Sequence, residues 1–374
     1  MKWVFWGAAS LIAYTYAGYA MWLWLRAQLF PWPVMHSPQE PYVSIVMVAR
    51  NEERVLEGKL RNLLDLEYPP ERCHIVVVSD GSTDRTEAIL REHSDNSRVH
   101  AVMNELSRGK ACGLNDAFEW AQGEIVVFTD ARQKIESGAL RLLLENFADP
   151  EVGCVSGELM LGDPASGESG QGMGLYWRIE KKVRELEAAS GSVVGATGAL
   201  YAVRRELLTR VPDGTILDDV YIPLQVVRQG RRVVFEPRAR AWDSPDLGSG
   251  LEFARKVRTL SGNYQLVKLA PWILRTHNPV RLRFVSHKLL RLAIPFALAA
   301  MLAASLWLKG PLYRAALVLQ LAFYALGLLA LARLLKIGVI GRAADAAGTF
   351  VLLNTAALVA FVNFVTGREA VWGR

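Results

Sequence analysis

A chain of 374 residues, 51% hydrophobic and with a net charge of +6, is long enough for one large folded domain plus further segments. Its apolar residues concentrate at the two ends, so the basic balance reads first as attraction to a membrane surface. No nucleic-acid motif is present, which sets nucleic acid aside as a partner. The three cysteines, Cys73, Cys112 and Cys154, lack the spacing of a zinc site or a disulfide framework and fit a reducing cytoplasm.

In chain order, Trp3 to Leu25 carries no charge across 23 residues. A hydrocarbon core of ~30 Å is crossed by about 20 such residues, and no small-residue cleavage site precedes Arg26, so a membrane anchor over 1–26 is expected. A proline-rich linker, 27–41, follows. Strand and helix patterns then alternate. YVSIVMVA reads as a buried strand, and EERVLEGKLRNLLDL as a helix with Val55, Leu60, Leu63 and Leu64 on its packed side. HIVVVSDGS is a strand ending at Asp80, and TDRTEAILREH a helix capped by Ser82 or Thr83. A short strand over Val99 to Met103 precedes the helix RGKACGLNDAFEWAQ, and EIVVFTD is a strand ending at Asp130. Such alternation predicts an α/β domain over 42–248, with a mostly parallel sheet and helices on both faces.

In that architecture ligands bind at the carboxyl ends of the strands, which places Ala49, Asn51, Glu52, Asp80 and Asp130 on one rim. Two acids at strand ends suit a nucleotide, and Lys110 at a helix start suits phosphate. Farther on, Gly195 and Gly198 in GATGALYAVRREL permit close approach of a ligand or a plain turn. Asp218 and Asp219 open the next helix, either as caps or with one carboxylate as a general base. Arg255, Lys256 and Arg258 follow within little more than one helical turn. They suit a leaving diphosphate or a basic face at the membrane surface, so 249–288 is expected to be interfacial.

Three more spans are expected in 289–374: Leu289 to Leu308, Leu312 to Leu335 and Thr349 to Thr366. The loop Lys309 to Pro311 then faces away from the soluble domain. Arg281, Arg283, His287, Lys288 and Arg291 crowd one membrane entry, and Arg333, Lys336 and Arg342 another. Positive charge favours the cytoplasmic side, so the large domain is expected in the cytoplasm of a bacterial or archaeal cell.

The motifs VSIVMVARNEE, VVVSDGSTDRT, SRGKACGLNDA, VVFTDA, GATGALYAVRR, LDDVYIPLQVVRQG and RKVRTLSGNYQ, taken in order over about 42–270, resemble the family-2 glycosyltransferases of GT-A fold, in the membrane-integrated branch with cellulose and hyaluronan synthases. The resemblance implies Asp80 as a nucleoside contact. Asp130 stands for the first acid of the DxD motif, on the donor diphosphate and its Mg²⁺ or Mn²⁺. Asp219 stands for the general base, and Arg258 for the arginine near the pyrophosphate. Two positions depart from the pattern: the second DxD acid is Arg132, and the tryptophan of QxxRW is Thr259.

The resemblance therefore implies an inverting transferase that takes a sugar from a nucleotide-sugar, with UDP as the family-weighted base. The acceptor would be a lipid-linked glycan or a growing polysaccharide, with polyprenyl phosphate or another simple lipid as the alternative. A catalytically silent assembly subunit is the alternative of another class. Membrane lipids are expected partners, and homo-oligomerisation is open.

Overall fold

The computed structural model describes residues 1–162, 175–243, 249–332 and 338–368. Its strands are β1 (Val43–Ala49), β2 (Cys73–Asp80), β3 (Val99–Asn104), β4 (Ile125–Phe128), β5 (Lys134–Ile135), β6 (Val152–Leu161), β7 (Tyr201–Arg204) and β8 (Arg232–Asp243). They form one sheet in the order β3-β2-β1-β4-β7-β6-β8-β5. Strands β1 to β4 run parallel, β7 is antiparallel to both its neighbours, and β6 pairs parallel with β8. Every residue of β1 is buried, as a central strand covered on both faces requires.

Helices cover both faces. On one, α3 (Leu56–Leu64) buries Leu56, Leu60 and Leu63 against Ile45, Ile75 and the Leu140 and Leu143 side of α6 (Ala139–Glu145). On the other, α5 (Lys110–Trp120) and α8 (Asp218–Arg228) pack on Val46, Val76 and Val126. Helix α4 is shorter than expected, Thr86–Glu92, and neither Ser82 nor Thr83 caps it. Asp84 accepts from the Thr86 amide at 2.9 Å, while Ser82 and Thr83 bond to Asn51.

The chain begins with α1 (Lys2–Ala13) and α2 (Tyr19–Leu29), joined by a π turn. Helix α2 docks through Tyr19 and Leu23 on Val183 and Leu186 of α7 (Leu175–Ala189). After the sheet come α9 (Ser249–Leu269), α10 (Arg281–Phe284), α11 (Leu290–Trp307), α12 (Pro311–Leu331) and α13 (Gly338–Thr366). Among the described residues three helices are long and apolar enough to cross a membrane: Arg281–Trp307, Pro311–Leu331 and Ala343–Thr366. Neither α1 nor α2 is among them, but α1 packs along α11, and Phe5 meets Tyr313 edge-on at 5.0 Å.

The last helix starts earlier than hydropathy alone suggests. Small residues let it approach α12 closely: a Cβ on Gly327 would lie 2.9 Å from the Ala347 carbonyl. Helix α9 also joins this bundle, with Tyr264 stacked on Phe364 at 4.9 Å. Arg333 and Lys336 lie outside the described residues.

Candidate active site

The rim is built where β1, β2 and β4 end. After β1, Asn51 adopts a left-handed backbone (φ 54°), a conformation that asparagine tolerates better than most residues. Its side-chain oxygen accepts from the Thr83 amide at 2.8 Å, and its own amide donates to Ser82 at 3.2 Å. Glu52 donates its amide to Thr86. Burial raises the Glu52 carboxyl pKa, against the pull of Arg132.

Asp80, at the end of β2, is fully buried. Its carboxylate accepts from Ser107 Oγ at 2.7 Å and from the amides of Arg108 and Gly109 at 2.8 and 2.9 Å. These three bonds tie Asp80 to the loop before α5. That loop lies so close that a Cβ on Gly81 would sit 2.4 Å from the Ser107 nitrogen. The spacing of strand ends in a sequence does not reveal which loop folds back over them.

Four groups converge at the next step along the rim. Lys110, the first residue of α5 after Gly109 (φ 89°), reaches Asp130 Oδ1 at 2.8 Å and Asp218 Oδ2 at 3.2 Å. A Cβ built on Gly198 would lie 3.2 Å from Asp130 Oδ2, 3.7 Å from Asp219 Oδ2 and 3.8 Å from Lys110 Nζ. The loop carrying Gly198 is strapped down: the Ala196 amide donates to the Asp219 carbonyl, the Thr197 amide to Ser156 Oγ, and Thr129 Oγ1 to the Ala199 carbonyl.

Burial, then the neighbouring Asp218, push the Asp219 carboxyl up to about 6, against Lys110. Burial opposes the charge on Lys110, but Asp130 and Asp218 outweigh it and raise its pKa. Of the predicted residues, Lys110, Asp130, Gly198, Asp218 and Asp219 thus meet, with Ala49, Asn51 and Glu52 beside them on the rim.

The basic cluster of α9 is less unified. Arg255 Nη1 stands 3.8 Å from Asp243 Oδ2, which bonds Gln133 three residues beyond Asp130. Lys256 lies over the Trp177 ring. Among the described residues no hydrogen bond or ion pair joins Arg258 to the rim acids.

A divalent ion would find one rim carboxylate, Asp130, already bonded to Lys110, with exposed Arg132 where a second acid would stand. Among the described residues no three His, Cys, Asp or Glu side chains are grouped to hold an ion. The donor set fits an ion that brings phosphate oxygens with it, not a ready-made cage.

Sequence reasoning missed two basic residues. Lys59 points inward from α3 and donates to Thr129 Oγ1 at 2.8 Å and the Gln133 carbonyl at 2.6 Å, bracing the Asp130 loop. Burial pushes its pKa down to about 7, partly countered by Asp130. Its place between Leu56, Leu60 and Leu63 on the buried face was the available signal. Arg184 of α7 lies near Asp219 and bonds Ser156 at 2.5 Å; its segment carries no recognisable motif.

A mixed, mostly parallel sheet with an acid-lined rim at its strand ends is the architecture of the GT-A fold. Residues 44–211 match the model for glycosyl transferase family 2. The chain is 26% identical over 235 residues to a poly-β-1,6-N-acetyl-D-glucosamine synthase of Staphylococcus epidermidis, covering 62% of this chain and 56% of the relative. It is also 26% identical over 240 residues to the probable glycosyltransferase YdaM of Bacillus subtilis, covering 61% of this chain and 56% of that protein. It thus spans about half the length of these curated relatives. Among solved structures, the mannosyltransferase PcManGT of Pyrobaculum calidifontis, in complex with GDP-Man and Mn²⁺, superposes with a TM-score of 0.73 at 24% identity. The match covers 97% of this chain and 99% of that one and establishes a shared fold.

Proposed function

We propose that this protein is an inverting membrane glycosyltransferase, carrying a sugar from a cytoplasmic nucleotide-sugar, of UDP type, to a membrane-associated lipid-linked glycan or growing polysaccharide. The observation that carries this reading is the meeting of Lys110, Asp130, Asp218 and Asp219 around the bare Cα of Gly198. Similarity to a poly-β-1,6-N-acetyl-D-glucosamine synthase supports the polysaccharide class. The long apolar helices support a membrane-associated acceptor.

Each residue has a definite task in this reading. Asp219, held near neutrality by burial and Asp218, removes the proton from an acceptor hydroxyl. The freed oxygen attacks the anomeric carbon from the face opposite the diphosphate. A single base with no second carboxylate acting as nucleophile leads to inversion. The leaving diphosphate is received by Lys110 and the N-terminus of α5, with Arg255 and Arg258 on its outer side. Asp130 would hold a Mg²⁺ or Mn²⁺ ion, which when bound neutralises phosphate charge. Gly198 leaves room for the sugar, and Asp218 fixes the Lys110 ammonium. Asp80, by holding the loop 107–109, shapes the nucleoside end.

The test is release of nucleoside diphosphate from a panel of nucleotide-sugars by purified protein with a membrane lipid extract, with and without Mn²⁺. Turnover of one donor, reduced by ~10²–10⁴ in Asp219→Asn, is expected. Transfer at the parent's rate in Asp219→Asn would overturn the assignment of the base.

A further inference from the structure

Beside Asp219, helix α7 carries a group of charged side chains whose pairing leaves one guanidinium aside. Helix α7 presents Glu180, Arg184 and Glu187 at intervals of four and three residues, hence on one face. Glu180 is taken by His287 Nε2 at 2.8 Å and Arg291 Nη1 at 2.8 Å. Glu187 is taken by His287 Nδ1 at 2.9 Å and the Tyr19 hydroxyl at 2.5 Å. Glu158, on β6, is taken by Lys181 at 2.8 Å. Each of these acids is bonded to another side chain, and among the described residues Arg184 forms no close ion pair with any of them.

Among the described residues the Arg184 guanidinium makes one hydrogen bond, from Nη2 to Ser156 Oγ at 2.5 Å, and lies over the Phe235 ring at 4.3 Å. It is half-buried, and the charges of Glu180, Glu187, Glu158 and Asp219 reach it through space. A guanidinium has five N–H donors, so most of this fork is unspent, and a partly desolvated cation in that state favours an anion. Ser156 also accepts from the Thr197 amide at 3.0 Å, next to Gly198. A group bound at Arg184 therefore sits beside the reaction centre. Lys288, at the membrane entry, adds positive charge whose field reaches both Asp219 and Glu180.

We propose that Arg184 is a phosphate-binding residue on the membrane side of Asp219, where its planar fork seats the phosphate of a lipid-linked acceptor. Phosphate is the planar fork's natural partner. The donor's leaving diphosphate is the other source of the same chemistry. The inference rests on the transferase reading, and it is tested by binding, without turnover, so that a silent donor panel leaves its result readable.

The protein in phosphatidylcholine nanodiscs is titrated with a short-chain isoprenyl phosphate, the matching isoprenol, UDP and GDP. In Arg184→Met the affinity for the isoprenyl phosphate is expected to fall about tenfold or more, a difference of ~1.4 kcal/mol or larger. Arg184→Lys, which keeps the charge and loses the fork, is expected to regain part of it, and it also serves if Arg184→Met does not fold. The isoprenol and both nucleotides should bind as before. A loss confined to UDP or GDP would support the phosphate site and assign it to the donor diphosphate. Unchanged binding of all the phosphates in a variant that melts like the parent would overturn the proposal.

Discussion

At the scale of single residues, the rim's behaviour follows from one surplus acid and one missing one. Asp219 is the surplus acid: burial and Asp218 raise its carboxyl to about 6. A base works only when ionised, so kcat/KM should fall as pH drops through about 6 and level off above it. In Asp219→Asn the rate should drop by ~10²–10⁴, the usual size of a general-base contribution, with no titration near pH 6 left in the residue. A pH profile that keeps its acid limb in the variant would show that another group sets it. Arg132 marks the missing acid. Arg132→Asp supplies a second carboxylate, and the concentration of Mn²⁺ giving half-maximal activity should fall about tenfold, given that ligand charge and number set affinity for such ions. Full activity of the parent protein in excess chelator would instead remove the ion from the scheme. Gly198 offers a third probe. A methyl group there would press on the Asp130 carboxylate at 3.2 Å, so Gly198→Ala should lower kcat severalfold or more while the melting temperature stays within the small range of an unstrained substitution.

At the scale of elements, the sheet was legible in the sequence and the contacts between elements were not. Buried runs such as VSIVMVA and HIVVVSD fix β1 and β2 because a strand covered on both faces must be apolar throughout. Their ends also located Asp80 and Asp130 on the rim. What Asp80 does there depends on the loop 105–109 folding back, which no local pattern encodes. The same limit applies at the membrane entry. Arg283, His287 and Arg291 read in sequence as part of a basic cluster crowding a membrane entry. In the fold Arg283 and His287 are buried, at 4% and 1% exposure. Arg283 donates to the carbonyls of Ser190 and Ser192, and His287 and Arg291 are claimed by α7. Charge counting cannot see that Glu180 and Glu187, a hundred residues earlier, arrive opposite them. His287 bonds both acids, so His287→Ala takes one hydrogen-bond partner from buried Glu187 and one from Glu180. Leaving a buried polar group without its partner costs about 1–3 kcal/mol. The variant should therefore melt well below the parent, by differential scanning fluorimetry in detergent, whereas His287→Ala at an exposed, lipid-facing position would leave the transition nearly unmoved.

At the scale of the whole molecule, one helix links the acid rim to the apolar helices. Helix α7 carries Arg184 beside Asp219 on one side and, through Glu180 and Glu187, grips the membrane entry and the N-terminal helix on the other. In the proposed transferase this would bring Asp219 close to an acceptor held at the membrane surface. If Arg281–Trp307 and Pro311–Leu331 both cross, the turn between them lies across the membrane from the sheet. The three native cysteines are buried, so an introduced thiol reports its own side cleanly. Lys309 and Asp95 are both exposed, the first in that turn and the second in the loop after α4. A membrane-impermeant maleimide should label Lys309→Cys in intact cells and Asp95→Cys only after the membrane is opened. Labelling of both positions from the same side would mean that the helix pair does not span. The acceptor would then have to reach Asp219 along the surface of the bilayer and not from within it. Labelling of Asp95→Cys alone in intact cells would place the sheet outside the cell. The positive charges at 281–291 would then have failed as a topological signal because three of them are spent on α7 and the loop after it and are no longer free to face anionic lipid.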